Sequence, residues 1–343
     1  MIAETMIVHS SFSEINRTQW ENLVASSPSA SFFQTPECYE FYAGLSFLKP
    51  FVFAVTENKE LKGLLCGYII SNGNRFSAYL SRRAIVCGGV LLDSSISEEA
   101  LKAMLRTAAK TLKKKAIYIE IRNYTDYTEY KSVFRNVGFS YLSHLNFHVS
   151  TPDVVTALQN LNTTKRRHIK ISTKEGVEWS ETTDLNDVKA FYDILQDLYK
   201  TKVKRPLFPI EFFEKIVLDS VGKLLIVRYQ NRVIGGMICV ILPDNTLYEW
   251  FVCGEERPGK NVYSSEMATW AGIEYAAKNN IPRFDFMGAG KPENDYGVRE
   301  FKSKFGGCLV ENGRFLFICN PFLYSIGKTV IENPVLKRII KIV

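Results

Sequence analysis

What the chain lacks narrows the reading first. Its longest apolar run, Val233 to Leu242, lies between Arg232 and Asp244 and falls well short of the roughly twenty residues a membrane-spanning helix needs. The opening stretch MIAETMIVHSSFSE carries Glu4 and no basic segment ahead of an apolar core, so it does not read as a signal peptide. C-x-x-C pairs are absent. Seven cysteines (Cys38, Cys66, Cys87, Cys239, Cys253, Cys308, Cys319) are scattered and odd in number, the pattern of reduced thiols in a cytoplasmic protein. The same scatter argues against zinc. His144 and His148 stand four apart, but in the strand-like segment YLSHLNFHV with no cysteine or carboxylate pattern beside them, so no metal is expected. Neither a Walker A loop nor a G-x-G-x-x-G fingerprint occurs, and no Ser-His-Asp or Cys-His-Asp spacing is recognisable.

What is present describes a globular chain of 343 residues, 46% apolar and 23% charged, which excludes a disordered or fibrous protein. At about 100–200 residues per domain, two domains are expected, and 23 Phe with 17 Tyr supply two cores and a pocket. The net charge of +7 is too dilute for a dedicated DNA-binding domain, so no DNA partner is expected. It is nevertheless clustered, at Lys113–Lys115, at Lys165-Arg166-Arg167-His168 with Lys170, and at Lys200, Lys202, Lys204 and Arg205. Such clusters favour polyanionic partners: phosphates, nucleotides or tRNA.

Periodicity gives the element order. In the second half, VEWSET (177–182) alternates as a strand, Asp184 caps a helix through LNDVKAFYDILQDLYKT, and Pro209 opens another. KLLIVRY, VIGGMICVIL and LYEWFVCG read as three strands joined by tight turns. Ser264 or Ser265 then caps a helix to Lys278, RFDFMG is a strand, a glycine-rich loop leads into helix 296–305, and CLVENGRFLFICN closes as a strand or hairpin. The first half repeats this order: MIVHS; EINRTQWENLV; a helix from Thr35-Pro36; PFVFAVTE, LKGLLCGYII and AIVCGGVLL; a long helix from Ser97; AIYIEIRN; Tyr127–Asn136; and FSYLSHLNFHV. Both halves read β-α-α-β-β-β-α-β-α-β, a duplicated architecture without duplicated sequence. The boundaries expected are 1–150, a helical linker 151–176 belonging to the second domain and ending at Gly176, 177–320, and a basic amphipathic tail 321–343.

This order is that of the GNAT (Gcn5-related N-acyltransferase) fold, an α/β class with mixed sheets. The segments FFQTPECYEFY (32–42), TKRRHIKISTKEGVE (164–178) and above all RFDFMGAGKPENDYGVREFKSKFGG (283–307) resemble the FemAB/FemX-type aminoacyltransferases and the FemAB-like GNAT group. The resemblance covers about residues 10–320. It implies two tandem GNAT-like domains and transfer of an aminoacyl group from aminoacyl-tRNA to an amine on a peptidoglycan precursor. The helical coiled-coil arm of some members has no counterpart, because no long heptad segment exists.

Within that frame, Lys302 is expected in the reaction pocket, where its ammonium stabilises an oxyanion or a phosphate, with Phe301 beside it. The alternative is a solvated helix face of Arg299, Lys302 and Lys304 over buried Phe301 and Phe305. Glu249, on the strand where many GNATs carry a general base, alternates with Tyr248 and Trp250; it is either that base or an ordinary exposed residue. Asp285, flanked by Phe284 and Phe286, either orients a base or caps the loop after it. GAGKPEND places Gly288, Gly290 and Lys291 where α/β proteins hold ligand loops, or else forms a plain tight turn. Tyr296 closes that loop. Lys165, Arg166 and Arg167 suit phosphate or form a solvated helix face, and Tyr199 and Arg205 are candidate acceptor-groove residues. Gly259, Lys260 and Asn261 stand where CoA-using members cradle a pyrophosphate, but only Gly259 fits that pattern.

The resulting expectation is a cytoplasmic transferase acting by direct attack, without a tightly bound cofactor, whose donor is aminoacyl-tRNA or acyl-CoA. Its partners are a small-molecule or lipid-linked wall precursor, with tRNA as one donor; the basic tail either packs on its own domain, the commoner use, or makes a peripheral membrane contact. Two alternatives stand beside it. One is an acyl-CoA N-acyltransferase acting on a sugar amine or small amine; the other is a catalytically idle scaffold.

Overall fold

The computed structural model describes residues 5–73, 75–294 and 297–332. Tyr296 and the tail beyond 332 lie outside the described residues. In chain order the elements are β1 (Met6–His9), α1 (Arg17–Ser26), α2 (Pro36–Ala43), β2 (Lys49–Glu57), β3 (Glu60–Ile70), α3 (Arg75–Ser81), β4 (Arg83–Gly88), β5 (Leu91–Leu92), α4 (Glu98–Leu112), β6 (Tyr118–Asn123), α5 (Lys131–Val137) and β7 (Ser140–Leu142). There follow β8 (Leu145–Ser150), α6 (Val154–Asn160), α7 (Thr163–Lys174), β9 (Glu178–Thr182), α8 (Leu185–Leu198), α9 (Ile210–Leu218), β10 (Lys223–Tyr229), β11 (Arg232–Leu242), β12 (Thr246–Gly254), α10 (Ser264–Lys278), β13 (Arg283–Asp285), α11 (Gly297–Ser303) and β14 (Cys308–Glu311). β15 (Arg314–Ile318) and α12 (Pro321–Glu332) end the described chain.

Local chemistry sets the boundaries. Thr35 accepts the Cys38 amide ahead of Pro36, Ser97 accepts that of Ala100, and Asp184 that of Asn186, each satisfying a helix N–H that has no intrahelical partner. α10 departs from the expected serine cap. It begins at Ser264 after Tyr263, and the Ser264 hydroxyl donates instead to the Glu255 carbonyl.

The described residues form two units, one holding the chain to Ser143 and again from Asn312, the other His144–Glu311. The first is built on a sheet of order β1-β2-β3-β4-β6-β15-β7, with β5 beside β3; the second on β14-β8-β13-β12-β11-β10-β9. Neighbouring strands are antiparallel except β4 with β6 and β12 with β13. In the first unit α4 lays Leu101, Met104, Leu105, Ala108 and Leu112 over Val55, Leu65, Ile119 and Ile121. In the second, α10 covers the sheet with Met267, Ala268, Ala271 and Ile273 against Met237, Leu247 and Phe284. Each core buries several aromatic side chains at about 25 cal/mol per Å² of apolar area.

These units do not divide at 150 and 320. The segment FSYLSHLNFHV is two strands in different sheets: β7 pairs with β15, whereas β8 pairs with β13 and β14. CLVENGRFLFICN is likewise split, β14 joining the second sheet and β15 the first. The physical reason is side-chain fit. Phe315 on β15 stacks on Phe134 with ring centroids 3.8 Å apart, and Phe147 and Val149 on β8 join Phe284, Phe286 and Phe305 in the second core.

Candidate active site

β12 and β13 run parallel for three pairs only, Thr246↔Arg283, Leu247↔Phe284 and Tyr248↔Asp285, and then part. Glu249 is the first β12 residue beyond the last pair. The next residue, Trp250, is an extra residue against β11, where Cys239 pairs with Glu249 but Ile238 with Phe251; such a bulge re-aims side chains beside a site. Glu249 is 5% exposed, which removes the reading of an exposed surface carboxylate. Its Oε1 lies 3.2 Å from Lys302 Nζ, and its Oε2 is buried with no hydrogen-bond partner. Burial pushes the Glu249 carboxyl up to about 7, against the pull of the Lys302 ammonium and with a smaller push from Asp285.

Lys302 comes from α11 and its side chain is 12% exposed, so it is not a solvated surface lysine. Besides Glu249 it donates to the carbonyls of Phe286 at 2.7 Å and Gly288 at 3.0 Å, engaging all three of its hydrogens. The loop it grips is pinned from three sides. Asn146 Oδ1 accepts from the Gly288 amide at 2.8 Å, the Ala289 amide donates to the Leu145 carbonyl at 2.7 Å, and Arg299 donates to the carbonyls of Ala289, Lys291 and Pro292. Met287 has φ of 56° and Gly290 of 80°, a left-handed path that glycine takes freely and methionine takes under strain. Asp285 caps the loop, its Oδ1 accepting the Met287 amide at 2.6 Å, and its Oδ2 lies 3.1 Å from His148 Nε2.

In the basic run at the start of α7, Lys165 and Arg166 make contacts within the protein. Lys165 turns inward, with Nζ 2.9 Å from Glu266 on α10 and 3.8 Å above the Phe301 ring of α11. Burial lowers its pKa against the pull of Glu266. Arg166 donates to the Leu161 carbonyl, and of the three only Arg167 is exposed. Ser172 of α7 accepts the Tyr263 amide at 3.0 Å, and its hydroxyl is 3.4 Å from the Asn261 carbonyl. The α6–α7 turn also lies against the segment after α11, since the Asn162 amide donates to the Lys304 carbonyl. α7 therefore binds to both α10 and α11. Its side chains occupy the start of α10, where a CoA pyrophosphate would meet the helix amides. Asn261 sits at φ of 63° with its amide on Glu175.

Tyr248 is buried on the sheet face of Asp285, opposite Glu249, and Lys291 and Lys260 are exposed. Arg205 is exposed and Tyr199 half-buried, the latter near Phe251 in the helix turn that follows α8. Sequence reading missed Asn146, Glu266 and Ser172, whose roles depend on strand and helix neighbours distant in sequence. The first unit has no equivalent parting: β4 and β6 pair over six residues through Gly88↔Asn123. Just beyond, the Tyr127 hydroxyl donates to the Val90 carbonyl at 2.6 Å, and a Cβ on Gly89 would fall 2.4 Å from that hydroxyl.

Residues 223–331 match the model of the FemAB family. Glu249 and Lys302 both lie within the matched residues. Among solved structures, the chain is similar to FemX, with 15% identity, a TM-score of 0.69, and 93% of this chain and 99% of that one covered. It is similar to a tandem GNAT protein from the clavulanic acid biosynthesis pathway at 9% identity and a TM-score of 0.59, covering 92% and 99%. It is also similar to the C-terminal domain of a protein from Agrobacterium fabrum named for lysylphosphatidylglycerol synthetase, at 11% identity and a TM-score of 0.56, covering 92% and 96%. Identities this low establish the fold, two tandem GNAT-like units. No curated protein matches the sequence. The FemAB match, carried on a tandem GNAT fold, supports an acyltransferase. Among the described residues, no helix is long and apolar enough to cross a membrane, and no group of His, Cys, Asp and Glu is arranged to hold a metal ion.

Proposed function

We propose that the second unit moves an aminoacyl group from the ester of an aminoacyl-tRNA to a primary amine on a peptidoglycan precursor, in the cytoplasm. The observation that carries this reading is Glu249: a buried carboxyl at the parting of β12 and β13, with one oxygen on Lys302 and the other unpartnered. A group titrating near neutrality is matched to accepting a proton at working pH. Oε2 takes a proton from the incoming ammonium, and the freed amine attacks the ester carbonyl. Once Glu249 is neutral its hold on Lys302 weakens, and the released N–H turns toward the oxyanion. Collapse forms the amide and expels the ribose oxygen, which takes the proton back from Glu249, while the second proton of the attacking nitrogen leaves to solvent.

Two further features support an aminoacyl-tRNA donor over acyl-CoA: the α7 side chains over the start of α10, and Asn261 in place of the small residue of a pyrophosphate loop. The β4–β6 pairing, unbroken through Gly88↔Asn123, supports assigning this transfer to the second unit. The experiment is a transfer assay with a radiolabelled aminoacyl-tRNA pool or acetyl-CoA as donor and a UDP-linked muramyl pentapeptide as acceptor. Label on the pentapeptide from tRNA, lost in Glu249→Gln, is expected; acetyl transfer at a comparable rate would overturn the donor assignment.

A further inference from the structure

The sheet of the second unit sets three chemistry-bearing residues in one row. Cys308 on β14 and Asp285 on β13 are both direct antiparallel partners of His148 on β8. Directly paired residues project from the same face, with Cβ atoms about 4.5–5.5 Å apart. Asp285, 1% exposed, lies 3.1 Å from His148 Nε2, and a carboxylate at that distance favours the tautomer with the ring proton on Nε2 and the lone pair on Nδ1. The other polar contact of the ring, Asn146 Nδ2 at 3.4 Å, also falls on Nε2. That leaves Nδ1 without a hydrogen-bond partner among the described residues. On the strand opposite Asp285 stands Cys308, exposed while the other six cysteines are buried.

The order is that of a nucleophile, a base and the group that orients the base. Asp285 also pairs with Tyr248, so the row lies on the sheet face opposite Glu249 and is separate from the Glu249–Lys302 pair. We propose that Cys308, His148 and Asp285 form a second reactive centre, in which the Cys308 thiol accepts an acyl group from an activated ester. His148 Nδ1 takes the thiol proton, and the sulfur attacks the carbonyl carbon. A C–S bond forms as the C–O bond breaks, and the leaving alkoxide takes its proton from the imidazolium. The products are a thioester on Cys308 and a free alcohol, with no redox change. A primary amine attacking the thioester would restore the thiol.

The test uses the full chain and p-nitrophenyl acetate, read by p-nitrophenolate release and intact-protein mass spectrometry. One acetyl group is expected, on Cys308 and absent from Cys308→Ser. The rate should exceed that of a peptide of residues 306–310 by at least about tenfold and fall by a similar factor in His148→Gln. Reaction no faster than in the peptide overturns the proposal, as does an unchanged rate in a folded His148→Gln. Should that variant not fold, the comparison of wild type with the peptide decides. Because Glu249 and Lys302 take no part, failure here leaves the tRNA reading standing, and failure of the transfer assay leaves this one standing.

Discussion

Lys302 Nζ sits 3.2 Å from Glu249 Oε1 while donating to the carbonyls of Phe286 and Gly288. One ammonium therefore acts both as counter-ion to a buried carboxylate and as the clamp on the loop beside it. Removing one partner of such a pair leaves an uncompensated buried charge. Glu249 escapes that cost by taking up a proton.

Lys302→Met is accordingly expected to lower transfer more than about tenfold while leaving the protein folded. In the variant the Glu249 carboxyl rises further above about 7, having lost the cation that opposed its burial. The check is the pH–rate profile with thermal melts alongside; unchanged turnover would remove Lys302 from the mechanism.

Stability should fall with pH through the neutral range. Glu249 goes from an ordinary 4.5 to about 7 on folding. The raised value favours the protonated form in the fold. Its contribution is fully present below 4.5 and is lost as pH rises through 7, to a total of about 3 kcal/mol. Melting curves from pH 5 to 8.5 should show this decline, and Glu249→Gln should flatten it. Equal slopes in both proteins would contradict the burial argument.

Calorimetric titration with acetyl-CoA should give no heat, because Ser172 takes the Tyr263 amide, and Lys165 and His168 engage Glu266 one turn into α10. Micromolar binding would require α7 to move and would shift the donor to acyl-CoA.

The first unit should depend on a strand that follows the second in sequence. Phe315 is buried against Phe134, and Phe315→Ala is expected to cost about 3–5 kcal/mol. A fragment ending at Ser143 lacks β15, which separates β6 from β7 in the sheet, and should not fold alone. Urea titration of the variant and circular dichroism of the fragment check both.

Much of this was legible in the sequence because periodicity is local. The caps at Thr35, Ser97 and Asp184, the long α4 and α10, and the three central strands of each unit follow from residue spacing within single segments. Strand exchange was not legible. YLSHLNFHV alternates without a break signal, and only the fit of Phe147 and Val149 to one core and of Phe315 to the other tells which sheet each strand joins. For the same reason Cys308, His148 and Asp285 show no spacing that links them. Lys302 and Glu249 were readable as types on a helix and a strand, but their contact depends on where β12 and β13 part. Lys165 reads from the sequence as either phosphate-facing or part of a solvated helix face, and its turn toward Glu266 reflects a tertiary partner 101 residues away.

The most direct test of the account is the titration of Glu249 itself, followed by NMR of protein labelled with 13C at the glutamate carboxyl and assigned by Glu249→Gln. A single carboxyl titrating with a midpoint near 7, absent from the variant, is predicted. A midpoint near 4.5 would mean that Glu249 is solvated in solution, and its role as the proton acceptor would fall.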